Sequence, residues 1–261
     1  MSFPESQRIV FRENPLVEVI SQLSFPTILQ IAAEPPVAFQ ERVREHYPIY
    51  ERGDAPALPS EVSRVLAEFP IQLGFDAVTH RFSTEDRSRQ IALTKDFVAL
   101  TVNDYSRWED FETALAEAKA ALEEVYHPAF YLRIGLRYRD VVDRSRLALQ
   151  DEPWSELLST NMLGLLGADP DIQRGIKAIR GEVLVALDDP PGASVRLIHG
   201  LFDQTEGEAQ TYVVDADWFI TERSNTDEVM GVLGRLNRQA GNLFRWAITP
   251  KLRDALGSRD D

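Results

Sequence analysis

Arg133, Arg137 and Arg139 fall at alternating positions of one extended segment, residues 130–142, so their guanidiniums project from the same side of a strand. Planar guanidinium forks suit carboxylate and phosphate oxygens. Leu132, Ile134, Leu136 and Tyr138 take the other side, while Tyr131 shares the side of the arginines. A second extended segment, residues 16–25, places Glu18 and Gln22 on the corresponding side. If the two segments pair, Glu18 meets Arg137 or Arg133. That arrangement has two readings. One is an ionic ladder that holds the sheet together, the commoner use of such pairs. The other is a ligand site for an anion, in which Glu18, Arg133, Arg137, Arg139, Tyr131 and the strand histidine His80 converge.

The rest of the chemistry is thin. The chain has no cysteine, which excludes disulfides, thiolate metal sites and cysteine nucleophiles. Its four histidines, His46, His80, His127 and His199, show no metal-ligand spacing such as H-E-x-x-H. Acidic pairs such as Glu109-Asp110 and Asp227-Glu228 fall in turns or first helical turns, where they solvate loops and favour helix N-termini. No phosphate-binding loop, dinucleotide fingerprint or nucleophile elbow is present. No catalytic residue, metal or cofactor is therefore assigned from the sequence.

Net charge is −14, from 42 acidic and 28 basic residues. The four lysines (Lys95, Lys119, Lys177 and Lys251) are scattered, and no basic run gathers. Such a chain repels phosphate backbones, which argues against nucleic-acid binding. No apolar run approaches a membrane span and the N-terminus lacks a signal pattern, so a cytoplasmic chain without membrane association is expected.

The elements that must position these residues follow from periodicity. After the Asn14-Pro15 turn comes the first strand, with an extension over residues 28–31 beyond Pro26. Pro35-Pro36 opens a short helix carrying Phe39 and Val43, and prolines at 48, 56, 59 and 70 mark a long connection with a small helix over residues 60–69. Three strands follow near residues 78–84, 89–94 and 97–103. A strong helix then runs over 106–125, with Ser106 and Glu109 forming a capping box. The pattern restarts after Pro128. It gives the arginine strand, a helix opened by Pro153, strands over 179–187, 193–201 and 210–219, and a helix over 226–246. Gly207 marks the turn before the last strand.

A β-α-β-β-β-α order read twice, over about residues 15–126 and 128–248, predicts an α+β single domain of two pseudo-repeats. In it a curved antiparallel sheet carries its long helices on one face. Open sheet edges need protection, which leaves a homo-oligomer open.

Three segments also resemble a family. They are Asn14-Pro15-Leu16-Val17-Glu18-Val19, the central Arg133-Ile134-Gly135-Leu136-Arg137-Tyr138, and Phe244-Arg245-Trp246-Ala247-Ile248-Thr249. Together they are similar to the N-P-L-x-E-V, R-x-G-L-R-Y and F-x-x-x-I-T motifs of a sporadically distributed prokaryotic family of uncharacterised proteins. The resemblance spans almost the whole chain and implies a prokaryotic origin and one conserved unit. It implies no reaction. The expected function is a non-catalytic binding or assembly module for a protein or a small anionic ligand. The alternative is an enzyme or small-ligand pocket protein that uses an arginine-lined sheet face.

Overall fold

The computed structural model describes residues 2–53, 78–202 and 210–257. The fold is α+β, built on a nine-stranded antiparallel sheet in the order β2-β3-β4-β5-β1-β6-β9-β8-β7. The strands are β1 (Leu16–Ser24), β2 (Ile49–Gly53), β3 (Thr79–Ser83), β4 (Arg89–Leu93), β5 (Phe97–Val102), β6 (Arg133–Asp143), β7 (Ile179–Ala186), β8 (Ala193–Phe202) and β9 (Thr211–Ile220). The helices are α1 (Leu29–Ala33), α2 (Val37–Val43), α3 (Trp108–Tyr126), α4 (Trp154–Leu157), α5 (Thr160–Leu163), α6 (Pro170–Gly175), α7 (Val229–Ala247) and α8 (Pro250–Leu256), with a 3-10 turn at Gly164–Gly167. Among the described residues no helix is long and apolar enough to cross a membrane.

The chain divides into two compact units. One joins Val17–Arg137 to Phe219–Gly234. Its strands β2, β3, β4, β5 and β1 form an antiparallel run. One face is apolar: Phe82, Ile91, Leu93, Val98, Leu100, Val19 and Leu23 are fully buried there. Helix α2 packs on it through Phe39, whose ring centroid lies 5.3 Å from that of Phe82. Helix α3 turns Phe111, Leu115, Ala118 and Leu122 inward, a stripe at the helical period. His127 ends α3 in the left-handed conformation, φ 48°. Pro128 then prevents further turns.

The second unit joins Met1–Leu16, Tyr138–Trp218 and Arg235–Asp261. Strands β7 and β8 pair antiparallel over eight residues. Trp218 of β9 is fully buried and meets Phe3 edge-on, centroids 5.8 Å apart. The Phe3 N–H donates to Gln239 Oε1 on α7 at 3.3 Å. Trp154 packs against Tyr212 at 5.6 Å.

Four local expectations need correction. Residues 29–33 form helix α1 instead of prolonging β1. The N–H groups of Phe25 and Ile28 donate to Asp96 O and Lys95 O of the β4–β5 turn, which bends the chain at Pro26. Residues 49–53, read as connection, form strand β2, because Ile49 to Gly53 find five partners on β3. Ser106 does not cap α3. The N-cap is Arg107, and the Ser106 hydroxyl donates to Asp110 Oδ2 at 2.6 Å. Helix α8 also went unread, although Thr249-Pro250 opens it in the usual way, with the Thr249 hydroxyl accepting the Leu252 N–H at 3.4 Å. The readings at residues 60–69 and Gly207 lie outside the described residues.

Candidate functional site

Strand β6 brings the arginines into the sheet beside β1 and β9. Arg133 Nη1 donates to Gln22 Oε1 at 3.3 Å, and its guanidinium carbon stands 5.2 Å from the centre of the Phe219 ring. Gly135 makes this posture available. A Cβ there would collide with Arg133 Nη1, so the guanidinium lies along the sheet where the side chain of another residue would stand. The glycine of the R-x-G motif thus has a packing reason.

The Arg133–Gln22 bond fixes which face of β1 the arginine side is. Gln22 lies opposite Ala99, Ala99 opposite Ala92, and Ala92 opposite Arg81. Residues directly opposite in an antiparallel pair share a face. By alternation Glu18 joins Gln22 on it. Glu18 is 4% exposed and Arg137 8% exposed, so both lie inside the protein on adjacent strands.

His80 and Tyr131 do not join that side. His80 sits beside Arg81 in β3 and shares the apolar face with Phe82. Its Nε2 lies 3.0 Å from the Ile31 carbonyl, and its Nδ1 lies 3.0 Å from the Tyr50 hydroxyl. A carbonyl only accepts, so Nε2 carries the proton and Nδ1 accepts from the phenol. Burial lowers the pKa of His80, which keeps the ring neutral in this role. Tyr131 precedes β6 and is bridged to Ser224. It is fully buried, and its hydroxyl donates to Glu123 Oε1 on α3 at 3.0 Å. Burial and the Glu123 charge both hold the phenol protonated.

Arg139 belongs to the other unit, where its Nε lies 3.4 Å from Asp215 Oδ2 on β9, both side chains 2% exposed. Asp140 is buried close by. Burial first, and the charge of Asp215 second, raise its pKa well above the ordinary carboxylate value. His199, in the same unit, also meets a tyrosine hydroxyl, but in the opposite sense. Its Nδ1 lies 2.6 Å from the Tyr212 hydroxyl, which donates to Met162 O at 3.0 Å, so Nδ1–H is the donor to the phenol.

Sequence reasoning missed Arg81 and Asp215. Arg81 is 5% exposed, and among the described residues its Nη2 has no hydrogen-bond partner. A groove of about 30 Å³ lies elsewhere, lined by Glu13, Pro15, Val142, Asp143 and Arg146, and contains none of the residues picked from sequence. Among the described residues no group of three or more metal-ligating side chains gathers.

No protein-family model matches the chain, and no curated protein matches it.

Proposed function

We propose that the chain is a non-catalytic binding or assembly module for a protein or a small anionic ligand. The observation that carries this reading is where its most reactive side chains go. Arg139 is held by Asp215, Arg133 by Gln22 and Phe219, Tyr131 by Glu123, and His80 by Tyr50 and Ile31. Groups committed to interior partners serve the fold, and binding is left to surfaces and to whatever anion the sheet admits.

The architecture we propose is a doubled unit with α3 and α7 on one face of the sheet. The strand order supports it: β5-β4-β3 leads outward from β1 as β9-β8-β7 does from β6.

An edge strand supports the assembly arm. Among the described residues β7 has β8 as its single strand neighbour, and it exposes Val183 (47%) and Leu184 (67%), which point to opposite faces. An edge strand that exposes these two apolar side chains, beside the charged Arg180 and Glu182, is a template for pairing with another chain. Affinity capture with the tagged full chain tests the proposal. The wild-type protein recovers a stoichiometric protein partner or a second copy of itself, and Val183→Lys loses it while the unfolding midpoint stays unchanged. Recovery of neither, with a monomer at every concentration in sedimentation, counts against the assembly arm.

A further inference from the structure

Strand β7 is an edge of the sheet. Glu182, Val183 and Leu184 are exposed in succession. Successive side chains point to opposite faces, so neither face of this stretch is covered, and its two apolar members stand at 47% and 67% exposure. The inner side of β7 is occupied by β8 from Ile179 to Ala186. Among the described residues no strand pairs with its outer side, where an edge carries backbone N–H and C=O groups ready for a ladder.

The charges of this edge match a second copy of itself. Arg180 and Glu182 flank Gly181 and share one face. Arg196 of β8 takes Glu182 Oε1 through contacts of 2.7 Å. Glu182 Oε2 lies 3.7 Å from Arg180 Nη2, longer than a hydrogen bond, so it has room to accept from another guanidinium. Two copies joined edge to edge by a twofold axis run antiparallel, and residues opposite each other share a face. The axis therefore passes between one residue and its own copy. Centred on Gly181, it sets Arg180 opposite Glu182 of the second copy and Glu182 opposite the other Arg180. Ile179 then meets Val183 of the second copy on the other face. Centred on Arg180 or Glu182, the axis sets like charge on like. Centred on Val183, it leaves Arg180 opposite Ala186 and Glu182 opposite Leu184. The glycine at the favoured centre adds no side chain where the two backbones come together.

We infer that β7 pairs antiparallel with β7 of a second copy of this chain about a twofold axis at Gly181, fixed in register by two symmetric Arg180–Glu182 pairs. The inference rests on the assembly arm of the proposed function and names its partner.

The test is sedimentation of the full chain over a range of concentrations. The wild type forms a concentration-dependent dimer. Glu182→Arg and Arg180→Glu each turn both cross-copy pairs from attraction to repulsion and weaken the dimer by about tenfold or more. Both side chains are exposed, 44% for Arg180 and 41% for Glu182, so the unfolding midpoints stay close to that of the wild type. Mixing the two variants restores a dimer, because every charge on one chain then faces its opposite on the other. The double variant Arg180→Glu/Glu182→Arg restores it within a single species. A wild type that stays monomeric at every concentration overturns the inference. So does a dimer that either single variant leaves within about twofold, or one that neither the mixture nor the double variant brings back. A monomeric wild type that still captures a different protein, and loses it on Val183→Lys, sinks the self-pairing while the assembly arm stands.

Discussion

Replacing Arg139 by methionine lowers the unfolding free energy by about 3–5 kcal/mol, the usual cost of stripping one partner from a buried ion pair. Arg139 and Asp215 meet at 3.4 Å with side chains 2% exposed, so water cannot take over the role of the lost cation. The variant also leaves Asp140 and Asp215 buried together without the guanidinium. Asp215→Leu alone is destabilising for the converse reason, a buried guanidinium without its carboxylate. The double replacement Arg139→Met/Asp215→Leu recovers much of the loss, since well-packed apolar groups often substitute for a buried pair at little cost. Urea unfolding of the four proteins closes the cycle. Equal stability of Arg139→Met and the wild type would show that the pair contributes nothing to the fold.

Asp140→Asn acts in the opposite direction and raises stability at neutral pH. The folded protein holds a proton on Asp140 that the unfolded chain has released once pH exceeds roughly 4. Burial, and then the Asp215 charge, put the folded pKa above that value. A raised folded pKa means that stability is fully present below the unfolded pKa. It is lost progressively as pH rises from there through the folded pKa. Asparagine keeps the shape and exchanges no proton, so that part of the decline disappears. Thermal unfolding from pH 4 to pH 8 reads the effect as a flatter profile, with the variant more stable than the wild type at the upper end. A variant less stable by the same amount at every pH would mean that Asp140 makes hydrogen bonds that an amide cannot copy.

The parts of this fold that alternate plainly are the parts readable in the chain. Strand β1, with Val19, Ser21 and Leu23 buried in alternation, and the stripes of α3 and α7 follow period 2 and period 3.6. The misread elements are short or depend on distant partners. Helix α1 buries Ile31 alone among its five residues, too little for a periodic signal. Strand β2 consists of Ile-Tyr-Glu-Arg-Gly next to Pro48, and only its pairing with β3 makes it a strand. The candidate site shows the same division. The arginine alternation on β6 and its kinship with Gln22 on β1 were legible, because one strand carries each set. His80 was drawn to the wrong face by its chemical promise, while Arg81 beside it went unmarked. All five residues of β3 are buried, so polarity gives no clue to which face is the interior. Asp215 escaped because nothing local ties β9 to Arg139. The tie exists only once β9 lies next to β6.

Urea unfolding of Arg137→Met, run beside ligand and partner binding of the same variant, is the most direct trial of the claim that the β6 arginines serve the fold. Arg137 is buried at 8% exposure next to the strand that carries the buried Glu18, and the expected outcome is a loss of about 3 kcal/mol or more in stability. A variant as stable as the wild type that has lost a bound anion or partner would contradict the account and make Arg137 part of a working site.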